Sequence, residues 1–237
     1  MIGVVAALPL EARCLTRARL KIGESIALDT GGWIHVSGIG RANAQRAAHS
    51  LLDAGASALL SWGVAGGLAP ELTAGTLVLP QVIIAAEKNQ FAVDPVWRAR
   101  LHDCLAPHVV ISGGAITESL SVISDPRQKQ KLAQASGAAA VDMESAAIAQ
   151  VAREANVPFA AIRVVVDTAA MSIPRSIIRA TDETGVLHAA KFLCSLLARP
   201  ADIGELMVLS RNFRAARTTL KTIVRLAGAQ LAVNPNP

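Results

Sequence analysis

Runs of apolar and β-branched residues recur along the chain and alternate with segments whose apolar residues follow helical spacing. The runs occupy residues 2–8, 57–62, 76–86, 138–141 and 159–166. Strands that are apolar at nearly every position are typical of parallel sheets covered on both faces by helices. Because strands and helices alternate along the chain, the pattern predicts an α/β fold. A polar stretch at 87–98 is expected to be a loop, available as a flap or an oligomer contact.

One unit in the second half of the chain shows the alternation most clearly. The apolar run 138–141 predicts a short strand, and Asp142 follows it in the position of a helix N-cap. Apolar residues at helical spacing then predict a helix, which Pro158 ends because proline cannot continue it. The next strand covers Phe159–Val166, where the charged residue is Arg163. A strand of this composition is expected to be buried on both faces.

Three carboxylates lie beside the ends of predicted strands. Glu11 follows the first strand, Glu144 lies in the first turn of the helix after the run 138–141, and Asp167 closes the next strand. An anion in a first helical turn is favoured by the helix dipole. Ligands of open parallel sheets bind beyond the carboxyl ends of the strands, so we expect these acids to face one crevice. The alternative is that they are capping and loop acids without a shared task.

Glycines follow two predicted strands, in Ser37–Gly40 and in Gly63–Leu68. Glycines at such junctions let backbone N–H groups approach an anion or a sugar. They also occur simply to form tight turns, so either motif alone is a weak signal.

Composition and charge exclude several classes of protein. The chain has 237 residues, 52% hydrophobic and 17% charged, which fits one large globular domain and not a disordered chain. No apolar run reaches the ~18–20 residues of a membrane span, and the N-terminus lacks the basic region of a signal peptide. The three cysteines show no metal-ligand spacing. Only 3% of residues are aromatic, which argues against a nucleic-acid partner despite a net charge of +5. We therefore expect a cytoplasmic protein without a metal site.

Four motifs, taken in order, resemble the nucleoside phosphorylase and nucleosidase superfamily. They are IGVVAALPLE at Ile2–Glu11, SGIG at Ser37–Gly40, GVAGGL at Gly63–Leu68, and Val141–Asp167, which begins VDMES and ends NVPFAAIRVVVD. Within the superfamily they are similar to the bacterial methylthioadenosine/S-adenosylhomocysteine nucleosidases, over roughly residues 1–197. The resemblance implies a central mixed β-sheet, partly closed into a barrel and flanked by helices. It also implies cleavage of the N-glycosidic bond of a purine nucleoside by a homodimer or larger homo-oligomer, with no metal or organic cofactor.

The resemblance assigns a role to each of the three acids. Asp167 would protonate or hydrogen-bond the purine N7 as a general acid, which requires a pKa raised by apolar surroundings. Glu144 would bind the ribose 2′- and 3′-hydroxyls, and its negative charge suits an oxocarbenium-like transition state. Glu11 would activate the attacking water.

Four further residues complete the predicted site. Met143 would pack on the sugar, and Ala65 and Gly66 would line the pocket through their backbone. Arg163, a charge within a buried strand, needs a partner, for which we expect the water-activating or the ribose-binding acid. The alternative for this arginine is a purely structural ion pair.

The chain departs from the nucleosidase pattern at four positions. Val64 and Val166 replace serines, Ile116 replaces an aromatic residue that stacks on the base, and Ala170 replaces a second aspartate. The lost hydroxyls and ring predict poor use of 5′-methylthioadenosine, the standard substrate of these nucleosidases.

Water is the expected nucleophile. The phosphorylases carry a Gly-Asp-x-x-Arg type motif after the first strand, where this chain has Ala7–Glu11, and an acid there would repel phosphate. A phosphate site needs a cluster of basic and backbone donors, for which Arg13 and Arg41 are the nearby candidates. Phosphorolysis stays as the alternative reaction, and a catalytically inactive nucleoside-binding protein as the alternative function.

Residues 200–237 exceed the nucleosidase pattern and are predicted to extend a catalytic domain of residues 1–199. Basic residues at three- and four-residue steps predict a basic amphipathic helix: Arg211, Arg214, Arg217, Lys221 and Arg225. Such a helix can lie on an anionic bilayer, and the alternative is packing on its own domain or on a partner subunit. The extension and the altered pocket resemble the hopanoid-biosynthesis-associated members of the superfamily. That resemblance implies the lipid nucleoside adenosylhopane as substrate and peripheral contact with the inner membrane face.

Overall fold

The computed structural model describes residues 1–29, 31–174, 176, 202–228 and 231. A mixed sheet of 11 strands forms its centre. The strands are β1 (Ile2–Ala6), β2 (Ser25–Ala27), β3 (Gly32–Val36), β4 (Ala58–Gly67), β5 (Leu77–Val78), β6 (Val82–Ile84), β7 (Gln90–Ala92), β8 (Ile111–Ser112), β9 (Ala115–Glu118), β10 (Ala140–Asp142) and β11 (Phe159–Asp167). The described helices are α1 (Pro9–Ala12), α2 (Arg41–Asp53), α3 (Pro95–Leu105), α4 (Pro126–Ser136), α5 (Ser145–Glu154) and α6 (Asp202–Ala227).

The long strand β4 organises the sheet. β1 and β11 run parallel to β4 on its two edges, and β3 runs parallel to β1 on the far side. Beyond the end of β1, the short strand β10 pairs antiparallel with Gly66 and Gly67 of β4. One arm of the sheet continues from β10 through β9 and β6 to β7, and a second runs from β11 through β5 to β8. A mixed sheet with flanking helices confirms the predicted α/β class, and the described strands leave it open, in line with a barrel that is only partly formed.

Alanine-rich helix faces let the helices pack closely on the sheet. The buried residues of α2 follow the spacing of one helical face: Ala44, Ala47, Ala48 and Leu51. That face contacts β1 and α5, and α5 in turn contacts β4. The strand residues beneath are fully buried, and burial of a side chain such as Leu60 contributes about 1.5–3 kcal/mol. The helices thereby fix the position of β4, whose far end borders the functional site.

Three segments differ from the sequence-based prediction. β4 continues through its glycines to Gly67 and does not end at Trp62. The run 76–86 forms two short strands, because Pro80 between them cannot donate to the ladder. The stretch 87–98 is not a plain loop, since it holds β7 and the start of α3. Helical spacing of apolar residues also predicts a helix at 184–197, and these residues lie outside the described part of the chain.

Helix α6 packs on its own chain. It lies against β11 and α3 and buries a face formed by Ala216, Leu220 and Ile223. The hydroxyl of Thr219 donates to the carbonyl of Gly75 at 2.8 Å. The predicted basic residues at 211, 214, 217, 221 and 225 are all exposed. Among the helices that the structure describes, none is both long enough and apolar enough to span a bilayer.

Candidate active site

A cavity of about 190 Å³ lies beside the C-terminal parts of β1, β4, β10 and β11. Six of the seven predicted site residues line it: Glu11, Ala65, Gly66, Met143, Glu144 and Asp167. The seventh, Arg163, has 1% of its surface exposed and contacts the cavity lining through Glu144. Residues that are more than 150 positions apart in the chain therefore meet at one cavity.

The cavity begins where one edge of β4 changes partner. Trp62 is aligned with Ala6 of β1, and Gly66 is aligned with Val141 of β10. Between them, the backbone of Val64 bonds to side chains. Its N–H donates to one carboxylate oxygen of Glu11 at 2.9 Å, and the second oxygen accepts from the N–H of Leu8, also at 2.9 Å. Glu11, which lies on helix α1, is thus held by the backbone amides of Leu8 and Val64 at the gap between β1 and β10.

Gly63 makes room for this arrangement. Its φ is +151°, and a Cβ atom here would overlap the carboxylate of Glu11 and come within 2.8 Å of Nη1 of Arg163. Burial raises the pKa of Glu11, while attraction to Arg163 and the amide hydrogen bonds oppose the rise. The requirement for glycine at position 63 therefore follows from the acid and the cation packed against it.

Arg163 is a fully buried cation bonded to acids and hydroxyls. Its Nε lies 2.7 Å from Asp142, and its Nη2 donates to Ser61 at 2.8 Å and to Glu144 at 3.4 Å. Burial favours loss of its proton, but Asp142, Glu144 and Glu11 together outweigh burial and raise the pKa of Arg163. Of the two partners expected from the sequence, Glu144 makes direct contact, whereas Glu11 acts through its charge. Asp142 forms the shorter of the two ion pairs that Arg163 makes.

Glu144 occupies the junction between β10 and α5. The helix begins at Ser145, so Glu144 is the N-cap residue and does not lie in the first turn. Asp142 ends β10, and its side chain accepts from the N–H of Ser145 at 3.2 Å. The Glu144 carboxylate is thereby left to accept from the N–H of Gly40 at 2.9 Å. Burial, helped by the repulsion of Asp142, raises the pKa of Glu144 to about 7. The attraction of Arg163 opposes this rise.

Asp167 closes β11, where the register with β4 shifts between Val165 and Asp167. Its carboxylate forms an ion pair of 2.5 Å with Lys129 of α4, whose side chain is fully buried. The pKa of Asp167 is raised by burial, and Lys129 opposes the rise. The sequence predicted the raised pKa from the apolar residues before Asp167 but did not identify the lysine.

Three residues that matter to the site were not predicted to belong to it. Asp142 stood in a recognised motif, but only as a helix cap. Lys129 lies on a charged, polar helix, where nothing in the local pattern separates a buried lysine from a solvated one. Ser61 lies inside a strand that reads as apolar. Only the fold brings these residues to the acids of the cavity.

The lining can support proton transfer and stabilise positive charge. It contains four acids, Glu11, Asp142, Glu144 and Asp167, and no Lys, Arg or His among the described residues. No cluster of described His, Cys, Asp and Glu side chains has the arrangement of a metal site. Glu11 and Asp167 both have raised pKa values and both line the cavity. Two such acids can act as a base and an acid on a single substrate.

Comparisons with known proteins bear on the fold and the family of this chain. The model of the phosphorylase superfamily matches residues 30–198. A 5′-methylthioadenosine/S-adenosylhomocysteine nucleosidase from Baumannia cicadellinicola is 28% identical over 198 residues, which cover 71% of this chain and 86% of the relative.

Two solved structures show the same fold. The nucleosidase of that name from Neisseria meningitidis, in complex with methylthio-immucillin-A, has a TM-score of 0.67 at 20% identity, over 97% of each chain. The futalosine hydrolase of Helicobacter pylori has a TM-score of 0.64 at 22% identity, over 83% of this chain and 97% of that one. At these identities the likeness concerns the fold.

Proposed function

Since this chain belongs to the phosphorylase superfamily, we propose that it hydrolyses the N-glycosidic bond of a purine nucleoside. The observation that carries the proposal is the convergence of Glu11, Glu144 and Asp167 on one cavity. Cleavage of this bond needs stabilisation of positive charge on the sugar, an activated nucleophile and a proton for the departing base. The three acids match these three needs.

Glu144 binds the ribose hydroxyls and stabilises the oxocarbenium-like transition state. Its carboxylate is fixed from behind by the Gly40 N–H and by Arg163, so one anion of defined orientation faces the cavity. A preorganised negative charge in a water-poor site stabilises developing positive charge more than solvent does. Since the pKa of Glu144 is about 7, the anion predominates above neutral pH.

Glu11 and Asp167 carry out the two proton transfers, Glu11 as the base and Asp167 as the acid. Glu11 is held by two amides, and burial makes it a stronger base than an exposed glutamate, as activation of water requires. Asp167 donates to the purine N7, so that the base departs neutral. Its burial raises its pKa and so increases the fraction that carries a proton at neutral pH.

The charge of the lining favours water over phosphate. No described cation lines the cavity, and its four acids would repel a phosphate dianion. Arg41 is engaged elsewhere, since its Nη1 contacts Glu87 at 2.5 Å and Glu118 at 3.1 Å. Arg13 is exposed. Neither arginine lines the cavity, so neither is placed to bind phosphate there.

We further propose that the 5′ group of the nucleoside is apolar, with adenosylhopane as the lipid nucleoside that fits the sequence resemblance. The support is the segment after β9, where Leu120 is 68% exposed and Val122, which lines the cavity, is 46% exposed. Ile173, on the loop after β11, also lines the cavity. Exposed apolar residues beside a binding site favour an apolar ligand or a lipid surface.

Peripheral membrane contact through α6 is part of the same proposal. Asn212 of α6 donates to the sulfur of Met171 at 3.4 Å, and Met171 belongs to the loop that reaches the cavity. The exposed arginines and lysine of α6 provide a basic surface that attracts anionic lipid. An enzyme on the membrane would meet a lipid nucleoside at the bilayer surface.

A series of 5′-alkylthioadenosines with methyl, butyl and octyl chains tests the reaction and the 5′ preference together. Free adenine is measured with and without phosphate. We expect release at the same rate in both buffers, with kcat/KM rising with chain length. Asp167→Asn and Glu11→Gln should each lower kcat by about 10²–10⁴, the scale of a lost general acid or base. A rate that depends on phosphate would establish phosphorolysis, and binding without release by the wild type would establish a binding protein.

A further inference from the structure

Lys129 is a buried cation that the proposed reaction has not used. It lies on α4, in a helix with exposed polar neighbours, yet its side chain is fully buried. A lysine is almost never fully buried unless it is paired. A buried charge also carries a large desolvation penalty, which excellent geometry and additional hydrogen bonds must offset. The contacts of this ammonium therefore show what holds it in place.

All three N–H groups of Lys129 have acceptors. Nζ donates to Oδ2 of Asp167 at 2.5 Å, to the carbonyl of Thr168 at 2.7 Å and to the carbonyl of Met171 at 3.0 Å. The ammonium thus holds the proposed general acid and the loop that follows it. Because an ammonium has three donors, none is left for a substrate atom.

We propose that Lys129 is a positioning residue, which holds Asp167 by one carboxylate oxygen so that the other faces the purine base. The inference rests on the proposed role of Asp167. Lys129 does not contact the base and is not among the residues that line the cavity. It acts by fixing the rotation of the carboxyl group and by placing a positive charge beside it.

The charge has a consequence for the pH dependence. Lys129 is the charged neighbour whose attraction acts on Asp167, while the described acids Glu11, Asp142 and Glu144 act on Arg163. An opposite charge at this distance lowers the pKa of a carboxyl by about 1–3 pH units. Removal of Lys129 should therefore let the pKa of Asp167 rise further. A general acid works while protonated, so the alkaline limb of kcat/KM should move to higher pH by about 1–3 units.

The test compares pH profiles of kcat/KM for wild type, Lys129→Met, Lys129→Arg and the matched control Lys131→Met, which removes an exposed lysine of the same helix. The butylthio nucleoside is the probe. We expect Lys129→Met to move the alkaline limb upward and lower kcat about tenfold or more, while Lys129→Arg restores the limb and the control changes neither. A uniform loss with an unmoved limb would assign Lys129 a structural role alone and overturn the proposal.

Binding of free adenine by calorimetry gives a readout that does not depend on turnover. N7 of adenine is an acceptor, so its affinity should fall above the pKa of Asp167, and in Lys129→Met that fall should occur at higher pH. If Lys129→Met does not fold, Lys129→Gln carries the same expectation. Loss of turnover in Asp167→Asn, with no shift in Lys129→Met or Lys129→Gln, refutes only the role of Lys129. Full turnover in Asp167→Asn overturns both that role and the proposed general acid.

Discussion

Replacement of Arg163 by methionine should destabilise the protein strongly, because it leaves buried acids without their cation. Arg163 is 1% exposed, and its partners Asp142 and Glu144 have only 2% and 7% of their side-chain surface exposed. Removal of one partner from a buried ion pair costs about 3–5 kcal/mol. For a chain of this size each kcal/mol lowers Tm by about 2–4 °C. The expected loss is therefore about 6–20 °C.

The loss should depend on pH in a direction that the structure fixes. Glu144 is an acid whose folded-state pKa, about 7, lies above the ordinary value of 4.5, so it takes up a proton on folding. Its contribution to stability is present below pH 4.5 and is lost as the pH rises to about 7. Without Arg163 the pKa of Glu144 rises further, so the loss extends to higher pH. The deficit of Arg163→Met should be smaller at pH 5 than at pH 8.

Thermal unfolding of wild type and Arg163→Met at pH 5, 6, 7 and 8 measures both effects. Arg153→Met is the matched control, because Arg153 is exposed and stacks on Phe91 at 4.5 Å, an interaction worth about 0.5–1 kcal/mol. The reasoning is refuted if Arg163→Met lowers Tm no more than Arg153→Met does. It is also refuted if the deficit is larger at pH 5 than at pH 8, because repulsion among ionised acids would then not be its cause.

Three further predictions follow from the site and from α6. The kcat/KM of the wild type should fall below about pH 7 as Glu144 takes up a proton, and Glu144→Gln should remove this acidic limb and lower the plateau in the same assay. Gly63→Ala should lower kcat at least tenfold, since its Cβ displaces Glu11; an unchanged kcat would show that Glu11 is not held where its role requires. The double variant Arg214→Glu and Lys221→Glu should co-sediment less with anionic vesicles at low salt. Its hydrolysis of the butylthio nucleoside in solution should be unchanged.

The elements around the central sheet could be predicted because their signals are local. The apolar run of β11, the proline that precedes it and the alanine-rich face of α5 each indicate one structure. The glycines of β4 misled the prediction. Glycines after a strand usually form a turn, but Gly63 serves an extended strand that passes a carboxylate and a guanidinium at close range. The spacing of residues in the sequence does not indicate that Glu11 and Arg163 pack closely against this glycine.

The buried charges could be predicted only in part. Arg163 was recognisable because a single cation inside an apolar strand must find a partner, and the expected partner Glu144 is among those it contacts. Lys129 gave no comparable signal, since lysine on a polar helix is ordinary. Its partner Asp167 lies 38 residues away and on another element. The contacts of Lys129 with Asp167 and with the loop after β11 are what bury this lysine, and they depend on the whole fold.

A single topological feature explains why Glu11 and Arg163 lie where they do. β1 ends four residues before β10 takes over the same edge of β4, and Val64 in this gap offers an N–H and a carbonyl to side chains. Glu11 accepts from the N–H, and Arg163 donates to the carbonyl at 3.4 Å. A carboxylate and a cation thus complete the edge where a strand would otherwise do so. In the proposed reaction a substrate at this gap would meet side chains that already hydrogen-bond to the unpaired edge of β4, so the sheet itself would preorganise the site.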